Sequence, residues 1–128
     1  MSVRRVSAVD GVAAPVGAFS HAAIAHGFVF TSGQIPARPD GTMPLDFEDQ
    51  LRTTLHNLRT VLRAAGSDLD HVVKVNGYVT DPTVLDTYNR VYAELFGDDV
   101  PARTTVCVTL WGVALELDCV AAIAGDAS

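Results

Sequence analysis

The sequence predicts an α+β fold, a two-layer sandwich of one mixed sheet with two helices packed on a single face. Three observations lead there. The segments run strands, helix, strand, helix, strands. Two amphipathic helices cover one face of a sheet of this size and no more. The chain has 128 residues, 48% of them hydrophobic and 19% charged. That is the size and balance of one ordinary domain over 1–128, and it excludes disorder, collagen-like repeats and a coiled coil.

Val3 to Val9 alternates loosely and reads as a first strand, and Pro15 to Ser20 is irregular. Ala22 to Ala25 and Phe28 to Thr31 flank His26-Gly27, the signal of a tight hairpin. Ser32-Gly33-Gln34-Ile35-Pro36 then leaves the sheet, and Arg38-Pro39-Asp40-Gly41 turns. Phe47, Leu51, Leu55, Leu58, Leu62 and Ala65 fall on one helical face, with Asp46 placed to cap the start and Gly66 to stop the end. Val72 to Val79 is a β-branched run. Asp81-Pro82 opens a second helix whose buried stripe is Val84, Tyr88, Val91 and Leu95, ended by Gly97. Thr104 to Leu110 and Leu115 to Ile123 complete the strands.

These strands carry Val, Cys, Leu, Ala and Thr on both faces, too apolar for one face to meet water. The face away from the helices is therefore expected to be buried by other copies of the chain. A net charge of -6 argues against a nucleic-acid backbone as partner. It leaves room for a small anion held by one or two local arginines. No apolar run approaches the ~20 residues of a membrane-spanning helix, and the first residues lack the apolar centre of a signal peptide. A cytosolic location and no membrane partner are expected. Cys107 and Cys119 both lie in strand-like runs without CxxC spacing, and each reads as a buried free thiol.

Some residues stand out chemically. Arg103, where a loop enters a strand, presents five donors suited to gripping a carboxylate in two-pronged fashion; the plainer alternative is a surface arginine. Strand alternation puts Glu116 and Asp118 on one face, continuing into Val120, Ala122 and Ala124. An acid bordered by that surface needs a counter-ion, hydrogen bonds or a raised pKa, so Asp118 is a candidate, against a structural salt bridge. If the last two strands form a simple hairpin, Asp118 lies about 14 Å along from Arg103. The two then share a small ligand only through another pairing or another subunit. Ser32 beside Gly33 is able to bind an anion, or simply to satisfy its own turn. His21 and His26 have no further ligand cluster for a metal, and no dinucleotide or P-loop pattern occurs.

Together these segments resemble the RidA family, also called YjgF or the reactive-intermediate deaminases. The matching pieces are Val16-Gly17-Ala18-Phe19-Ser20-His21-Ala22, Thr31-Ser32-Gly33-Gln34-Ile35-Pro36, Leu58 to Gly66, Val72-Val73-Lys74-Val75, Val100-Pro101-Ala102-Arg103-Thr104 and Leu115-Glu116-Leu117-Asp118. They run in the family's order over nearly the whole chain. The resemblance implies a chorismate-mutase-like homotrimer with the sheets inside, helices outside and ligand clefts between subunits. It implies hydrolysis, without metal or organic cofactor, of 2-enamine and 2-imine acids such as 2-aminoacrylate and 2-iminopropionate to 2-keto acids and ammonia. Arg103 matches the carboxylate-gripping arginine, and Ser32 and Gly33 match a segment lining the cleft. Asp118 matches the acid that positions water, with an oxygen drawn back by about one methylene that a water fills. Phe19 stands where tyrosine is common, His21 where glutamine is, and Thr105 where many members have cysteine and contact ligand through the backbone. The missing Phe19 hydroxyl keeps open an alternative, a trimeric carboxylate-binding or regulatory module without turnover. Ribonuclease activity, also associated with the family, fits the acidic charge poorly.

Overall fold

The structure, a computed structural model, describes residues 2–124. It contains strands β1 (Arg4–Val6), β2 (Ala22–Ala25), β3 (Phe28–Thr31), β4 (Val72–Val79), β5 (Ala102–Cys107) and β6 (Leu115–Ala122). Two helices, α1 (Phe47–Ala64) and α2 (Leu85–Phe96), complete it. The six strands form one sheet in the order β1-β2-β3-β6-β4-β5. Only β4 and β5 pair in parallel; every other neighbour is antiparallel. The predicted mixed sheet with two helices is thus the fold.

Local chemistry explains where the elements start and stop. His26 and Gly27 both take positive φ, 53° and 79°, which is the geometry of the two-residue hairpin turn between β2 and β3. The Asp46 carboxylate accepts the Asp49 N–H and caps α1. At its other end Gly66 adopts φ 88°. There the Ser67 N–H reaches Leu62 O at 2.8 Å and the Gly66 N–H reaches Arg63 O at 3.2 Å, a Schellman closure. Asp81 accepts from the Thr83 N–H and hydroxyl, and Pro82–Val84 winds as a single 3-10 turn before α2 begins.

Leu51, Leu55, Leu58 and Leu62 are at most 1% exposed and seat α1 on the sheet. The sheet meets them with Val29, Val75, Leu115, Leu117 and Ala121. In α2 the buried residues are Tyr88, Val91 and Tyr92, and Phe96 packs against the core. Leu95, expected in that stripe, is instead 43% exposed. The contact line runs through 88, 92 and 96 at four-residue steps, which turns Leu95 outward. Gly77 of β4 lies directly beneath Tyr88. A Cβ there would stand 2.3 Å from the Tyr88 hydroxyl and 3.3 Å from Leu117. Because that tyrosine is fully buried, Gly77→Ala is expected to cost about 1–3 kcal/mol of stability, read as a lower urea midpoint.

Of the pairings left open for the last two strands, the simple hairpin does not form, because β4 lies between β5 and β6. A parallel β4–β5 pair requires a crossover, and α2 is that crossover. The Trp111 segment then spans the end of β4, tied by Val108 N–H to Val79 O and Thr80 N–H to Ala114 O. β5 begins at Ala102 and ends at Cys107, earlier than its apolar run, because its partner β4 ends at Val79. Cys119 is buried as expected, but Cys107 is exposed because β5 is an edge strand; both are free. Burial pushes the Cys119 thiol up to about 12, which leaves it inert. The sheet face away from the helices carries Phe28, Phe30 and Val106, each about two-fifths exposed.

Candidate active site

A cavity of about 440 Å³ opens beside the segment that leaves β3. Phe19, His21, Gly33, Gln34, Trp111 and Glu116 stand around it, and its lining is mostly apolar. Gln34 builds one wall. Its backbone N–H donates to Leu117 O at 2.7 Å and its carbonyl accepts the Leu117 N–H at 3.0 Å. That isolated bridge to β6 lays Gly33 across Glu116, the residue just before Leu117. A Cβ on Gly33 would fall 1.8 Å from Glu116 Oε1. Only glycine leaves that carboxylate where it is.

The buried polar side chains behind this wall are committed. His21 is 5% exposed. Its Nε2 lies 2.9 Å from Ala13 O and its Nδ1 lies 3.3 Å from Gln34 Nε2. With a carbonyl on one side and an amide N–H on the other, the pairing has Nε2 donating and Nδ1 accepting. Gln34 Nε2 also donates to Ser32 O, and Asn57 Nδ2 of α1 donates to both Ile35 O and Ala37 O. Asn57 thus ties the cavity wall to the core. Asn57→Ala leaves two carbonyls unanswered and is expected to cost about 1–3 kcal/mol, seen in chemical denaturation.

Glu116 faces the cavity from the open side of the sheet. Burial first, then the charge of Asp118 two residues on, raises its carboxyl above the ordinary 4.5. Asp118 itself does not line the cavity. One of its oxygens accepts from Asn76 Nδ2 at 2.8 Å and the other from the Tyr78 hydroxyl at 3.1 Å. The hydrogen bonds that a carboxylate on this surface requires are therefore supplied by β4, and among the described residues no ion pair joins them.

Arg103 lies elsewhere. Its register opposite Val75, with Val75 opposite Cys119, turns it toward the helices, whereas Asp118 pairs with Asn76 on the other face. The exposed guanidinium rests on two rings of α2, its Cζ 5.2 Å from the Tyr88 centroid and 5.0 Å from that of Tyr92. By strand spacing, Arg103 and Glu116 backbones are roughly 14 Å apart within one chain, on opposite faces. Thr105 also turns inward, its Oγ1 buried toward the Tyr88 hydroxyl. The Ser32 hydroxyl donates to Ser20 O and borders a separate hollow beside Arg5. The structure thus brings Phe19 and Gly33 together, and leaves Ser32, Thr105, Arg103 and Asp118 outside the cavity of a single chain.

Glu116, His21, Gln34 and Asn57 are polar cavity residues that sequence reasoning did not put forward as site residues. The alternation of β6 did place Glu116 beside Asp118 on one face. Which acid meets the cavity depends on the Gln34–Leu117 bridge, which links segments more than eighty residues apart. Among the described residues no three His, Cys, Asp or Glu side chains converge as metal ligands. No helix among them is long and apolar enough to cross a membrane.

Known proteins resemble this chain in sequence and fold. Residues 11–123 match the family model described as Endoribonuclease L-PSP. The mitochondrial protein mmf2 of Schizosaccharomyces pombe is 38% identical over 111 residues, covering 83% of this chain and 88% of mmf2. TdcF of Escherichia coli K12, provisionally named a reactive intermediate deaminase, is 36% identical over 99 residues, covering 73% of this chain and 77% of TdcF. The crystal structure of E. coli TdcF with bound serine superposes with a TM-score of 0.87 at 30% identity, covering 93% of this chain and 98% of that one. The crystal structure of the yeast protein YEO7 gives 0.90 at 34% identity, covering 95% and 99%. A mitochondrial relative means that membership does not carry a cytosolic location. By matched length, fold and identity, the chain belongs to the Endoribonuclease L-PSP family, the one also called YjgF or RidA.

Proposed function

We propose that this protein hydrolyses 2-imino acids, and their 2-enamine tautomers, to 2-keto acids and ammonia, in a cleft completed by a second copy of the chain. The observation that carries this reading is the Glu116 carboxyl folded over Gly33 in a mostly apolar cavity. Imine hydrolysis asks little of a protein. The C=N carbon is attacked by water as the nitrogen is protonated, and the resulting carbinolamine collapses to C=O with ammonia as leaving group. Glu116 holds the water and takes its proton, a role that suits a carboxyl with a raised pKa. Its charge also favours the protonated imine nearby. Arg103 grips the carboxylate and fixes the reacting carbon. No metal or organic cofactor takes part.

One chain holds Arg103 and Glu116 far apart, so two copies supply them. The half-exposed Phe28, Phe30 and Val106 of the open sheet face favour burial against neighbours, and β5 sits at the sheet edge where its outward backbone groups also meet a neighbour. A closed homotrimer is the arrangement proposed. The reading takes support from the naming of TdcF and from the serine bound to it, a small amino acid. The net charge of -6 weighs against RNA as substrate.

The test couples the protein to a pyridoxal phosphate dehydratase that releases 2-aminoacrylate from serine. Faster release of ammonia and keto acid in the presence of the protein is expected. If release is no faster with 2-aminoacrylate or with the imine of a larger amino acid, while a 2-keto acid still binds, the protein is a binding module and the deaminase reading falls.

A further inference from the structure

We propose that the cavity beside Glu116 receives the side chain of a 2-imino acid of leucine or phenylalanine size, so that bulky apolar substrates are preferred over three-carbon ones. This rests on the deaminase reading and adds the substrate's class to it. The cavity measures about 440 Å³. That is within the span of roughly 300–1,000 Å³ in which proteins hold drug-sized ligands, and it equals about fifteen waters' share of liquid volume. A three-carbon imino acid would leave most of it as water against apolar walls.

The walls are Val12, Ile35, Met43, Trp111 and Val113. Hydrogen-bond donors are what a carboxylate needs, and those of the buried imidazole and side-chain amides are spent. His21 donates to Ala13 O, the Gln34 amide to His21 and Ser32 O, and the Asn57 amide to Ile35 O and Ala37 O. The charged group that remains, Glu116, repels a substrate carboxylate and attracts an iminium. The carboxylate therefore stays outside, with the arginine, and the iminium sits at Glu116. The side chain points into the apolar space. Phe19 at the rim, where a hydroxyl would have offered a polar contact, extends that space outward.

The test uses the full chain with imines generated from alanine, leucine and phenylalanine by an L-amino-acid oxidase, with semicarbazide as competing trap. The leucine- or phenylalanine-derived imine is expected to show a kcat/KM at least tenfold above that of the alanine-derived imine. Val113→Phe, which fills the cavity from a loop, should lower that ratio at least tenfold. Equal or higher efficiency on the alanine-derived imine overturns the preference and leaves deamination standing. Calorimetry with 4-methyl-2-oxopentanoate and pyruvate separates the remaining cases. With no imine hydrolysed, tighter binding of the larger keto acid keeps the pocket assignment and removes the deaminase reading. Equal or no binding removes both.

Discussion

Replacing Arg103 by alanine is expected to lower kcat/KM for 2-imino acids by roughly 10²–10³-fold, the value of a two-pronged guanidinium–carboxylate pair in a partly dry cleft. The fold should survive. The side chain is exposed and packs on Tyr88 and Tyr92 from outside, so its loss forfeits only about 0.5–1 kcal/mol of cation–π attraction. Arg103→Lys should recover little, because a point charge presents neither the planar fork nor the same stacking on the rings. The position of Arg103 makes a sharper test available. If one copy supplies the arginine and another the glutamate, Arg103→Ala and Glu116→Gln chains are each inactive alone. Unfolded and refolded together in equal amounts, they should regain about a quarter of the wild-type sites, since random assembly pairs two intact contributors that often. A mixture as inactive as its components would show that both groups act within one chain, contrary to the proposed assembly.

Much of this architecture was legible because it is local. The α1 stripe, the Asp46 cap, the Gly66 stop and the His26-Gly27 turn each depend on a few adjacent residues, and each stands where its pattern puts it. What the residues do not state is who lies beside whom across long separations. Two apolar runs joined by Trp111-Gly112-Val113-Ala114 look like a hairpin, yet α2 carries the chain from β4 into a parallel β5 and leaves β4 in the middle. That single change decides the face of Arg103. Opposite Val75 it looks at the helices, where α2 offers it two tyrosine rings. The choice between the acids was hidden in the same way. Period-two alternation makes Glu116 and Asp118 equivalent. They differ because Gln34 bridges Leu117, which drapes Gly33 over one, while Asn76 and Tyr78 of β4 bond the other.

Those two carboxylates should therefore separate cleanly under substitution. Glu116→Gln keeps the shape and removes the base, and kcat is expected to fall roughly 10²–10⁴-fold. Asp118→Asn exchanges an acceptor for a mixed group against Asn76 and Tyr78. It should cost about 1 kcal/mol of stability and leave kcat at pH 8 within about threefold. The pH profile distinguishes a direct role from a structural one. The Glu116 carboxyl is held above 4.5, first by burial and then by Asp118, so the acid limb of kcat/KM should lie above that value. Removing the Asp118 charge takes away the second cause and keeps the first. In Asp118→Asn the limb should move to lower pH without reaching the position of a free glutamate. Stability follows the opposite sense. The folded carboxyl binds its proton more tightly than the unfolded one, so its favourable contribution is complete below 4.5 and lost as pH rises through the folded value. Glu116→Gln lacks that titration, and its stability relative to wild type should rise over the same interval. An acid limb that stays put in Asp118→Asn would show that another group holds the water, and would take the general-base role away from Glu116.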